Sequence, residues 1–218
     1  GRVHEVFQVL WCLWHGESSR RGGRLPEGGS GRRLLGLATR MRKAGALQRA
    51  HYALANDYFF AGEFAVSRHH ARQARNWPRD TVEPLGDDPW LMAGAFLAWD
   101  EWFLGRPGTA RRLAEETVAE ARQHRPRDRA MALAFQGLLG VWAGDESRVA
   151  AVLPELEATV ADFPSTIWEV ATEALAAWFA ARQGGSAALA RLTETVAASN
   201  EAMPAVVTLF QLIRTEAH

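Results

Sequence analysis

Apolar positions along the chain recur at three- and four-residue spacing, a pattern that predicts helix almost throughout. The segment 109–123 is the clearest case. Leu113, Thr117, Val118 and Ala121 fall on one face of a helix, and Glu115, Glu116 and Glu120 fall on the other. Clean apolar–polar alternation is nearly absent, and Ala, Leu, Arg and Glu dominate, all of which favour helix. Glycines and prolines cut the pattern into helices near 3–15, 32–44, 47–61, 64–75, 90–104, 108–123, 128–143, 146–161, 165–182, 186–198 and 204–216. Pro164 and Pro204 fall just before or inside a first helical turn, where a missing N–H is harmless. Pro154 falls inside the 146–161 segment and predicts a kink or a split there.

The helices come in pairs. Turn glycines stand at Gly16, Gly62, Gly105, Gly144 and Gly184, separated by 46, 43, 39 and 40 residues. Each follows an apolar helix and precedes a more polar one. Gly62 and Gly105 are expected at positive φ, where a side chain is costly. A fixed period of roughly 20–50 residues built from two helices signals a solenoid. One helix pair cannot bury its apolar face alone, so it stacks on its neighbours.

The second pair carries Leu54, Ala55, Tyr58, Gly62, Phe64, Ser67, Ala71 and Ala74. This order resembles the tetratricopeptide (TPR) repeat. The third pair keeps Leu97, Ala98, Gly105, Pro107, Ala110 and Ala114 but has Glu101 where an aromatic is usual, and the fourth keeps Gly137, Gly144 and Val149. The first pair is interrupted by a Gly- and Arg-rich segment, 18–33, expected as a flexible insertion. The period exceeds the usual TPR length of about 34 residues, so the chain resembles a long, degenerate variant. The resemblance implies an all-α, right-handed superhelix of about five helix pairs, forming a single domain over 1–218.

More narrowly, Val9–Trp14, Tyr58–Phe64, Asp88-Pro89 and Asp162-Phe163-Pro164 are similar to the C-terminal helical-repeat regions of large bacterial regulators. These include ATPase-containing adenylate-cyclase-like proteins and STAND-type transcription activators. The resemblance implies a cytoplasmic regulatory or scaffold module, either free-standing or part of a larger protein. The cyclase, ATPase and DNA-binding parts of such proteins are not in these 218 residues.

Composition narrows the class further. Of 218 residues, 48% are hydrophobic and 23% charged, which argues against disorder of the whole chain. The longest uncharged stretch, Ala130–Gly144, is too short for a membrane span. No signal peptide is visible, because Val6–Trp14 has no small-residue cleavage site behind it. Cys12 is the only cysteine, so no intrachain disulfide or cysteine-rich zinc site forms. Residues 1–80 carry a net charge of +8 and residues 81–218 a net of −8. The basic cluster within 18–33 reads as a solvated loop, so nucleic acid is not expected as the partner.

Catalytic, cofactor and metal motifs are not found. The glycine-rich run Gly22–Gly31 lacks the Lys-Ser/Thr ending of a phosphate loop and has no strand before it. No Gly-x-Ser-x-Gly elbow and no His-Glu-x-x-His helix occurs. His69 and His70 are adjacent and point to different helix faces. Asp87-Asp88, Asp100-Glu101, Glu115-Glu116 and Asp145-Glu146 are paired carboxylates. Of these, Asp100-Glu101 sits between Trp99 and Trp102 on an apolar helix. It either lines a groove or pairs with an arginine of a neighbouring helix, since buried charges need partners.

Nine tryptophans are the most unusual feature. Counting back from the turn glycines, Trp14, Phe60, Phe103 and Trp142 occupy one equivalent position. Leu10, Asn56, Trp99, Leu138 and Trp178 lie one helical turn earlier. This stripe fills the inter-repeat core or lines a concave groove. On the groove reading, Arg49, Tyr52, Asn56, Phe60, Trp99, Asp100 and Trp102 bind a peptide or protein partner. The alternative is a sensor module that takes a small molecule among the rings. Neither reading calls for a cofactor, a metal or a catalytic residue, and no enzyme activity is expected.

Overall fold

The turns at Gly62, Gly105, Gly144 and Gly184 are built alike in the computed structural model of the chain. Each glycine has positive φ, at 79°, 76°, 61° and 88°. In each, the glycine N–H donates three residues back. The next N–H donates five back: Glu63 to Tyr58, Arg106 to Glu101, Asp145 to Gly140 and Gly185 to Ala180. This is the Schellman closure, which satisfies the last carbonyls of a helix and sends the chain back. Its recurrence at 43-, 39- and 40-residue intervals shows the repeat in backbone geometry. Gly16 departs from the series, since it lies inside the last turn of a helix that continues to Ser18.

The structure describes residues 2–18, 29–77, 86, 88–163 and 165–185, together with 187, 188, 190, 193 and 194. Among them are nine α-helices and no strand: α1 (Arg2–Ser18), α2 (Ser30–Met41), α3 (Ala44–Phe60), α4 (Phe64–Asn76), α5 (Pro89–Phe103), α6 (Pro107–Ala121), α7 (Pro126–Trp142), α8 (Glu146–Asp162) and α9 (Thr166–Arg182). The expected helix 204–216 lies outside the described residues, as do Pro164 and Pro204. The expected insertion 18–33 is shorter than its composition suggests. Residues 19–28 lie outside the described residues, but Ser30–Arg33 already form the first turn of α2.

Local chemistry sets the helix ends. The Asp88 carboxylate accepts from the N–H groups of Trp90 and Leu91 at 2.8 and 3.1 Å, and Pro89 follows at the first helical position. Asp145 caps α8 through the Arg148 N–H at 3.1 Å. Pro154 neither splits nor ends α8, which runs unbroken to Asp162. The proline is exposed, so the carbonyl it leaves unbonded is on the side that solvent reaches.

The chain divides into two compact units, Gly1–Leu113 and Ala114–His218. In the first, α2 packs on α1 and α3, α4 packs on α3 and α5, and α3 also touches α1 and α5. Its core holds Phe7, Trp14, Leu34, Leu91, Phe96 and Trp99. In the second unit α7, α8 and α9 pack on one another around Met131, Leu133, Leu139, Leu156 and Trp178. A Cβ at Gly137 would lie 2.6 Å from Leu175 Cδ1, so the missing side chain lets α9 approach α7.

Candidate functional site

The seven residues expected to face one groove divide between interior and surface. Tyr52, Trp99 and Asp100 are 2%, 1% and 0% exposed, so they are interior groups rather than walls of an open groove. Tyr52 stands edge-on to Trp14 at 5.3 Å and near Phe96 at 6.3 Å. Trp99 packs against Phe59 at 5.4 Å and Phe96 at 5.9 Å. Arg49, Asn56, Phe60 and Trp102 are half-buried. Arg49 lies over the Trp11 ring at 5.8 Å and donates to Gln8 Oε1 at 3.4 Å. Along the stripe Leu10, Trp99, Leu138 and Trp178 are buried, which places this line of large side chains in the cores of the two units.

The adjacent carboxylates of α5 have separate environments. Glu101 accepts from Arg72 of α4 at 2.8 Å and from Arg106 at 2.9 Å, with Arg68 at 3.8 Å. This is the expected pairing with a neighbouring helix. Among the described residues no arginine pairs with Asp100. Its Oδ2 lies 2.8 Å from Ser67 Oγ, which lies 2.9 Å from the Ala55 carbonyl, and its Oδ1 is buried with no hydrogen-bond partner. The Ser67 hydroxyl, with one proton, donates toward both the Ala55 carbonyl and the Asp100 carboxyl. Burial, with the Glu101 charge beside it, pushes Asp100 up to about 8 despite the Ser67 contact, which acts the other way.

A second cluster joins α3 and α4, where His51 Nδ1 and His70 Nδ1 meet at 3.0 Å. Tyr58 stacks on His70, and Arg32 of α2 reaches the Tyr58 hydroxyl at 3.0 Å. Burial lowers both histidines, reinforced by His69 at His51 and by His51 and His69 at His70, which falls to about 4. The pair is neutral near pH 7, with one imidazole N–H donating to the other ring. Among the described residues no group of three or more His, Cys, Asp or Glu side chains is placed to hold a metal ion.

An open apolar feature lies elsewhere, between α1 and α2. Val6, Val9 and Leu13 are 47%, 62% and 53% exposed on one edge of α1. With Leu10 of α1 and Leu37 of α2 they line a trough of about 700 Å³. Arg2 and Glu5 of α1, and Arg33 and Arg40 of α2, stand at its rim. The other face of α1 buries Phe7, Trp11 and Trp14 in the first unit, with the Trp14 indole N–H donating to Asp57 at 3.0 Å. Sequence reasoning centred on the tryptophans passes over this site. The signal was the apolar series Val6, Val9, Leu10, Leu13 at helical spacing, in addition to the face carrying the rings. No protein-family model matches the chain, and no curated protein matches it.

Proposed function

We propose that this chain is a non-catalytic, TPR-like helical-repeat module that binds a protein or peptide segment in a regulatory or scaffolding role. A superhelical stack of helix pairs fits the recurring glycine closure, which ends helices of similar length at near-constant intervals. The observation that carries the binding reading is the α1–α2 trough. Three aliphatic side chains stand exposed in a row on one helix, and a valley beside them is walled by a second helix. Contiguous exposed apolar surface of this kind marks an interaction site more often than scattered single residues do. The buried Asp100–Ser67 and Glu101–arginine contacts serve the architecture on this reading, as they tie α5 to α4.

The test is selection of displayed helical peptides of about four turns against the intact chain, with a Val9→Asp, Leu13→Asp double variant as the control. Both positions are exposed, so the control keeps the fold. Enrichment on the native chain that the control loses is expected. Equal enrichment on both, or none on either, overturns the assignment of the trough.

A further inference from the structure

The two walls of the trough share one period. On α1 they are Val6, Val9, Leu10 and Leu13, and on α2 Arg33, Gly36, Leu37 and Arg40, each running i, i+3, i+4, i+7. Two helical ridges with a valley between them have the shape that receives a third helix. Gly36 stands midway along α2 and is exposed, and a Cβ added there meets no atom within 4 Å. Glycine weakens an exposed helix interior relative to alanine, and no packing among the described residues requires it here. Its effect is an open stretch of wall where another backbone can come close. Arg2, Arg33 and Arg40 form no ion pair among the described residues, and the rim has only Glu5 as an acid.

We infer, resting on the binding-module reading above, that the trough takes an amphipathic helix of about four turns whose apolar ridge is flanked by Asp or Glu. The ridge lies on Val6, Val9, Leu10 and Leu37, the partner backbone passes over Gly36, and the acidic flanks meet Arg2, Arg33 and Arg40. The valley between two helical walls matches the ridge of a third helix better than a flat lipid surface.

Three comparisons test it. Peptides selected on the native chain should carry acidic flanks. A selected peptide should bind about tenfold more weakly to the Arg33→Glu, Arg40→Glu variant, and lose affinity as salt is raised. Exchanging its acids for lysines should restore binding to that variant. Gly36→Leu should weaken the native pair by about tenfold or more by filling the valley. Its thermal midpoint should be unchanged or higher, because leucine is the better helix former. Enrichment without acidic bias overturns this inference and leaves the module reading standing. Failure to enrich relative to the Val9→Asp, Leu13→Asp control overturns both. Sedimentation with phosphatidylserine vesicles that Gly36→Leu leaves unchanged shows a membrane occupant and overturns the helix.

Discussion

Asp100 and Glu101 are neighbours in sequence and equally buried, yet burial holds one neutral near pH 7 and the other is an ion held by arginines. The difference comes from a rotation of about 100° between successive helix positions, which aims one at Ser67 and the other at Arg72 and Arg106. The sequence shows two acids between two tryptophans on an apolar helix. It does not show Ser67 or Arg72, because those partners lie 33 and 29 residues away, and only the packing of α4 on α5 brings them in. The same limit applies to the rings, whose shared helix face is legible in the residue count while its direction, inward or outward, is not. Trp99→Ala should lower unfolding free energy by about 3–5 kcal/mol, as expected for deleting a fully buried ring. Trp102→Ala, at a half-buried position, should lose clearly less. Equal losses in denaturant unfolding would contradict the placement of these two rings.

The punctuation of the helices is the most legible part of the chain, because Schellman closures depend on one residue type at one position. Gly62 and Gly105 sit at positive φ, as their spacing after apolar helices predicts. Gly16 carries the same residue type but is followed by two more helical residues, since nothing at 17 or 18 opposes helix. A left-handed turn without glycine closes α2, at Arg42, the one non-glycine residue with positive φ among those described. An arginine there gives no sequence signal, because left-handed positions are rare for residues with a side chain. Pro154 misleads for a related reason: proline's cost in a helix depends on which side it faces, and here it faces solvent. For Gly62→Val the expected loss is about 1 kcal/mol or more, from forcing a β-branched residue to φ of 79°. Since no atom lies within 4 Å of the added Cβ, the loss should come from backbone strain alone. Gly36→Ala, at a helical exposed position, should instead stabilise, and paired thermal melts of the two variants check the contrast.

For the whole chain, the buried Asp100 and the half-buried pair His51 and His70 tilt stability with pH in opposite directions. Asp100 titrates higher in the folded state than unfolded, so its contribution is fully present below the ordinary carboxylate range and is lost as pH rises toward about 8. His51 and His70 titrate lower when folded. Their contribution is present above about 6.5 and is lost as pH falls toward about 4, where His70 protonates. Between those limits the two tendencies oppose each other. From about pH 6.5 to about 8, where the histidines no longer change, Asp100 acts unopposed. Asp100→Asn keeps a neutral acceptor oxygen for Ser67 and removes the titration, so its melting temperature should rise relative to the native chain across that interval. A gap that stays constant would mean that Asp100 is already ionised at pH 6.5.

Within each unit the described helices pack chiefly on the next helix or the next but one, as in α3 with α4 and α5, or α7 with α8 and α9. Contacts so close along the chain require only short loops to close before they form. The consequence is kinetic. Among the described helices, folding of each unit can begin at any helix pair as soon as both helices exist, and should be quick for its size.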